Sequence, residues 1–307
     1  IKDIKESTLK IIEAELDKIE LSPELKEVGD NNAQNKKGQN QSSMAEDNNE
    51  KELENKDAAG PSVPQDISKK ITKEILKDID EGKWVEKREA VEKLEKIISE
   101  TNMKILPNGL NELFDLIKLK LSDCNKNLVK ILISLLGKLI ESLKLGFKNW
   151  TKNIALSLIP NLADKSLVIR NECLNCFDKW VENTGLETLI VYFPQFLKTE
   201  NIESRIEIMK FIQKYHNNIN KSVGEYVYKE LVDPLLICLQ DRTNSVRTKA
   251  EETIKLSFDY VPVDLYYKKI KDFKPAIAED LKQIMNKIET TDYNTLNEVS
   301  DEINNNL

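Results

Sequence analysis

The chain has 307 residues, 46 Lys/Arg against 53 Asp/Glu, and a formal net charge of −7. Nine Gly and nine Pro are too few for the turns of a many-stranded sandwich or barrel, and 32% charged with 6% aromatic residues is the composition of an all-helical protein. No apolar run approaches the ~20 residues of a membrane-spanning helix, and a single histidine, His216, leaves little for metal or acid–base enzyme chemistry. Four cysteines form no disulfide framework and no signal peptide opens the chain, which points to a reduced, cytosolic compartment. The opening Ile1 reads as a fragment of a longer polypeptide.

In chain order, residues 1–29 carry Ile4, Leu9, Ile12, Leu16 and Ile19 near helical spacing. One helix cannot bury its own stripe, so this is an isolated helix, the end of a preceding domain. Residues 30–65 are polar, acidic and Asn-rich and read as a disordered linker; the Asn-rich acidic tail 290–307 reads the same way. Residues 64–289 hold 37 bases and 34 acids, so the net acidity lies in the flanks. A mildly basic domain of this size lacks the footprint of a nucleic-acid binder and suits an acidic protein partner if its bases share one face.

The region 66–289 is helical throughout. Val91, Leu94 and Ile98 mark one helix. Leu128, Ile131, Leu132, Leu135, Leu136, Leu139, Ile140 and Leu143 form a wide apolar face on another, with Gly146 as its left-handed stop. Ile169, Cys173, Cys176 and Trp180 share a face that ends at Gly185; Ser222 and Glu225 suggest a capping box, and Val246, Ala250 and Ile254 mark a later helix. Asp164 to Arg170 and Asp241 to Arg247 repeat the form D-x5-R, with Asp80 and Asp123 in like places. The successive aspartates lie 43, 41 and 77 residues apart, a period near 40. Two helices per unit at that period predict a HEAT-repeat α-solenoid of six helix pairs, the sixth shorter.

Stacked pairs place every intra-pair turn on one edge. Those turns are 82–84, 123–127, 164–167, 198–203 and 241–245, and they carry Lys83, Lys126, Lys165, Lys198 and Arg242. The aspartate of each turn is expected to cap the following helix. Arg170 and Arg247 are expected to form a ladder of charge pairs between repeats. Trp84, between charged residues and off its helix's apolar stripe, is either an exposed hot spot or a cap folded onto the first helix pair. Trp150 and Trp180 belong to the core. Cys173-x-x-Cys176 has no second pair and no nearby His, so both read as small buried hydrophobes rather than metal or redox groups. No P-loop, dinucleotide fingerprint, HExxH or GxSxG occurs, and no cofactor is expected.

GKWVEKREAVEKLEKII, LSDCNKNLVKILISLLGKL, LIPNLADKSLVIRNECLNCFDKWVENTG and CLQDRTNSVRTKAEE, in that order and spacing, resemble a TOG domain of the chTOG-type microtubule polymerase family, most of all the fourth domain of its array. The CLASP family shares this fold. The resemblance covers 66–289 and implies a flat paddle of six HEAT repeats without enzymatic activity. It implies αβ-tubulin and microtubules as partners, and no nucleic acid or membrane. Tubulin would be met through Trp84, Lys83, Lys126, Lys165, Arg242 and Arg247, with the fourth turn weakened by Glu200 and Glu203. It further implies promotion of microtubule polymerisation, a cytoplasmic, cytoskeletal location at plus ends, spindle poles or centrosome, and sister domains tethered by the linker. The alternative is a HEAT scaffold for another acidic protein, which gives no reason for a Trp in the first turn.

Overall fold

The structure, a computed structural model, describes residues 63–305, with side chains described as far as residue 290. The expected helix over 1–29 and nearly all of the expected linker lie outside the described residues. Thirteen α-helices fall into six pairs among the described residues. The first pair is α1 (Lys73–Glu81) with α2 (Trp84–Ser99), and the second is α3 (Asn111–Lys120) with α4 (Lys126–Leu143). The third begins with a 3-10 segment, Lys144–Trp150, continues as α5 (Thr151–Leu158) and a second 3-10 segment, Ile159–Ala163, and is completed by α6 (Leu167–Thr184). Two short helices, α7 (Glu187–Ile190) and α8 (Phe193–Leu197), pair with α9 (Ile202–Tyr215). The last two pairs are α10 (Lys221–Leu239) with α11 (Asn244–Ser257), and α12 (Val263–Ile270) with α13 (Pro275–Asn305). The backbone of α13 is helical past residue 289, the boundary expected from composition.

The pairs stack because each second helix buries its stripe against the next. α4 lies between α2 and α6, and Leu128, Leu132, Leu135, Leu136, Leu139 and Ile140 are fully buried there. At these burial levels each such side chain contributes ~1.5–3 kcal/mol. In the C-terminal half α9, α11 and α13 stack in the same way. The two halves meet differently: α9 packs chiefly on the 3-10 segment Ile159–Ala163, and Asp178 of α6 accepts hydrogen bonds from Lys214 and Tyr215, both at 2.7 Å.

Local signals act where short side chains can reach the orphan amides of a helix start. Asn125 Oδ1 accepts from the N–H groups of Asn127 and Leu128, Asn201 from Ser204, and Asn220 from Val223. The cap of α10 is therefore Asn220, and the expected Ser222 lies inside the helix. Gly185 ends α6 at φ 90° as its position predicts. Gly146 does not stop α4: the left-handed residue is Lys144 at φ 48°, and the chain tightens at once into a 3-10 turn that contains Gly146. Gly224 answers a different need, since a Cβ there would lie 2.1 Å from the Tyr260 ring.

Trp150 and Trp180 are core residues, each with its indole N–H satisfied, by Asn111 Oδ1 at 2.9 Å and Thr188 Oγ1 at 2.8 Å. Cys173 and Cys176 are buried, and burial pushes both thiols up, away from the thiolate that binds metal or attacks disulfides. His216 is also buried, with Nδ1 2.9 Å from the Tyr228 hydroxyl and Nε2 2.8 Å from Asp259 Oδ2, a structural tie between the fourth and fifth pairs.

Candidate functional site: the turn edge

The intra-pair turns are built around backbone demands, and cations from neighbouring turns tie them together. In the second, third and fifth turns one aspartate Oδ1 accepts the N–H two residues on: Asp123 from Asn125 at 2.7 Å, Asp164 from Ser166 at 2.8 Å, Asp241 from Thr243 at 2.7 Å. These aspartates do not cap the helices, as their position suggested. Each closes a turn one step earlier, and the acceptor of that bond leaves the second carboxylate oxygen free for a cation. Asp80 is not equivalent, because it still lies in the last turn of α1.

That second oxygen is used across turns. Lys126 Nζ lies 2.8 Å from Asp164 Oδ2, and Arg205 Nη2 lies 2.7 Å from Asp241 Oδ2. Lys120 Nζ lies 2.7 Å from Asp80 Oδ1. These pairs place successive turns side by side, so the edge inferred from the repeat is a physical feature of the molecule. The Asp123 carboxyl is held below its usual range chiefly by the Asn125 N–H. For Asp164 and Asp241 burial pushes upward, but hydrogen bonds and the cations Lys126 and Arg205 outweigh it and both end below the usual range.

Arg170 and Arg247 do not form the expected ladder between repeats. Arg170 Nη1 folds back onto the carbonyls of Asp164 and Lys165, at 2.7 and 3.3 Å. Arg247 Nη1 does the same to Asp241 and Arg242, at 2.8 and 3.0 Å, and its Nη2 reaches Asn244 Oδ1. The D-x5-R spacing thus makes a lock within one turn, because six residues return the guanidinium over the carbonyls its own helix leaves behind. The ladder between repeats exists, but Lys120, Lys126 and Arg205 form it.

The residues expected to meet a partner are distributed as follows. Trp84 opens α2 and is exposed, at 37%, rather than folded into the core. Lys83, Lys165, Lys198 and Arg242 are exposed with no ion pair among the described residues. Lys126 is exposed but engaged with Asp164, and Arg247 is half-buried in its lock. Three apolar side chains on the same edge escaped the sequence reading: Val85 beside Trp84, and Leu167 and Val168 at 60% and 54% exposure. Val85 is the second residue of α2, after Trp84, and Leu167 and Val168 are the first two of α6, whereas α4 and α11 begin with Lys126-Asn127 and Asn244-Ser245. The available signal was an apolar residue ahead of each helix's own stripe.

The model of the family described as CLASP N terminal matches residues 71–265. Protein MOR1 of Oryza sativa subsp. japonica is 27% identical over 217 residues, 70% of this chain and 11% of that protein. Protein mini spindles of Drosophila melanogaster is 23% identical over 232 residues, 72% of this chain and 11% of that protein. The chain therefore spans about a tenth of the length of these curated relatives. Among solved structures, a chain from work on microtubule plus-end tracking by XMAP215, CLIP-170 and EB1 aligns at TM-score 0.57 and 21% identity, covering 73% of this chain and 94% of the other. A second, from work on tubulin recruitment by polymerases with TOG domain arrays, aligns at TM-score 0.58 and 14% identity, covering 73% and 48%. These likenesses establish the fold.

Proposed function

The chain belongs to the CLASP N-terminal family, and we propose that residues 66–289 are a TOG domain that binds αβ-tubulin through the turn edge. The observation that carries this reading is the exposed Trp84 at the head of an edge whose first three turns are pinned to one another, as are its fourth and fifth. An exposed indole on a rigid edge supplies the desolvated anchor of a protein interface, and exposed cations around it attract an acidic partner. Lys83, Lys165 and Arg242 supply that field, Lys126 and Arg247 hold the turns that present it, and Val85, Leu167 and Val168 extend the apolar contact. The solved neighbour described by tubulin recruitment through TOG arrays supports tubulin as that partner.

The domain has no catalytic role in this reading. It grips tubulin and raises its local concentration when sister domains share one chain. Within the family we place it with the microtubule polymerases, nearest the fourth TOG domain of their array, acting to promote polymerisation at plus ends, spindle poles or centrosome. Co-elution of the chain with purified αβ-tubulin, at low and moderate salt, tests the proposal. Binding by the parent and loss with Trp84→Ala is the expected result. Failure to co-elute at low salt overturns the tubulin reading and leaves the alternative, a scaffold for another acidic protein.

A further inference from the structure

Resting on the tubulin reading above, we infer that Lys120 is a positioning residue for Trp84. Only two residues, Gly82 and Lys83, separate α1 from α2. The turn is tight: a Cβ at Gly82 would lie 2.4 Å from the Asp78 carbonyl oxygen, and the Lys83 N–H is held by Glu86 Oε2 at 2.6 Å. The direction in which Trp84 leaves this turn is therefore set by where the last turn of α1 sits.

Two ammonium groups hold that last turn. Lys87 Nζ donates to the carbonyls of Ile79 and Asp80 at 3.1 and 2.8 Å. Lys120 Nζ donates to the same Asp80 carbonyl at 3.1 Å, lies 2.7 Å from Asp80 Oδ1, and stands 4.0 Å from Asp123 Oδ2. Both sit on the negative end of the α1 dipole, where cations are favoured. Gly82, Glu86 and Lys87 all belong to the first pair. Lys120, the last residue of α3, comes from the second, so it registers the Trp84 turn against the rest of the edge. Its side chain is only 14% exposed, so it acts on a partner through Trp84 rather than by broad contact. A pre-set anchor binds without the cost of ordering it, which is what this tie secures.

The three tryptophans make the test direct, since Trp84 is exposed while Trp150 and Trp180 are buried. The full chain, labelled with 5-fluorotryptophan and assigned through Trp84→Phe, is examined by 19F NMR and by tubulin affinity as parent, Lys120→Met and Lys120→Arg. The proposal expects Lys120→Met to shift or broaden the Trp84 resonance alone, to keep helicity, and to weaken tubulin binding about tenfold. Lys120→Arg should restore both. An unmoved Trp84 resonance overturns it, as does unchanged affinity in Lys120→Met where Trp84→Ala binds poorly. Displacement of all three resonances together also overturns it, because Lys120 is then a general structural tie. If Trp84→Ala binds tubulin like the parent, the tubulin reading fails and the functional half of this inference with it. The Trp84 resonance then still decides the geometric half.

Discussion

The first and fifth turns are each held by a cation of their own second helix and one from a neighbouring pair, and they display different surfaces. The fifth, between α10 and α11, stabilises itself: Asp241 accepts the Thr243 N–H, and Arg247 covers the Asp241 and Arg242 carbonyls. Arg205 then ties it to the fourth turn through an ion pair whose side chains are 7% and 11% exposed. The first turn has neither an aspartate-closed loop nor an arginine lock, and it displays Trp84 and Val85 where the fifth displays Arg242. Its own Lys87 covers the Ile79 and Asp80 carbonyls, and Lys120, from forty residues away, adds the second hold. Both turns take one hold from a neighbouring pair, Lys120 on the first and Arg205 on the fifth, and what differs is the surface they display: an indole in the first, a guanidinium in the fifth.

The comparison breaks most visibly at the buried pair. Arg205→Ala leaves the Asp241 carboxylate nearly enclosed without its counter-charge, and loses the Arg205 Nη2 bond to the Glu200 carbonyl as well. Removing one partner of a buried pair costs ~3–5 kcal/mol, so the urea midpoint should fall sharply. A loss below ~1 kcal/mol would mean that water reaches the pair and that the fifth turn does not depend on it. Next in size is Trp84→Ala. Truncating a hot-spot aromatic costs ~2 kcal/mol of binding, about thirtyfold, and the loss should appear at every salt concentration. The melting temperature should stay at the parent's value. If Trp84→Ala melts the first pair, the indole is a structural cap, and the contrast between the two turns disappears.

What was legible in the sequence follows the same division. The helix pairs, their number and their period were readable because burial of a stripe imposes 3.6-residue spacing and each pair repeats it. Trp180, Cys173 and Cys176 could be assigned to the core from the face they share with Ile169. Asp164 and Arg170 were readable as a motif but not in their roles, because spacing within a turn says that two groups meet and not which atoms do. The pins escaped entirely: Lys120, Lys126 and Arg205 each act on a carboxylate about forty residues off, and lysine at a helix end looks the same whether it is solvated or tied. Leu167 and Val168 escaped because two apolar residues before a stripe look like the start of that stripe. The stop at Lys144 was missed because a non-glycine residue took the left-handed conformation that Gly146 was expected to supply.

The third turn repeats the internal lock of the fifth and so extends the comparison. Arg170→Ala removes charge-assisted hydrogen bonds to two carbonyls and should destabilise the chain by about 1.5 kcal/mol, read from thermal unfolding. Tubulin affinity should change less than twofold at moderate salt, since the guanidinium points into its own turn. A variant with parent stability and weakened binding would assign Arg170 to the interface instead.

The smallest effect separates displayed cations from tied ones. Lys165 and Arg242 are exposed and have no ion pair among the described residues, so their charge acts on a partner through solvent. At physiological ionic strength such a field decays over ~8 Å, and exposed pairs contribute ~0.2–1 kcal/mol each. The double change Lys165→Ala with Arg242→Ala should therefore slow association at low salt, leave the dissociation rate nearly unaltered, and flatten the dependence of tubulin affinity on salt. Stability should be untouched, because no contact is lost. Lys126→Ala is the matched opposite. Its ammonium is half-exposed yet sits on Asp164, so its removal frees a carboxylate that closes the third turn as well as subtracting a charge from the edge. Part of its effect should persist at high salt and appear in the melting temperature. Stopped-flow association across a salt series, with melting curves on the same samples, separates the two. If Lys126→Ala behaves like the double variant in both, the pair with Asp164 holds nothing in place, and the cations of this edge form one undivided field.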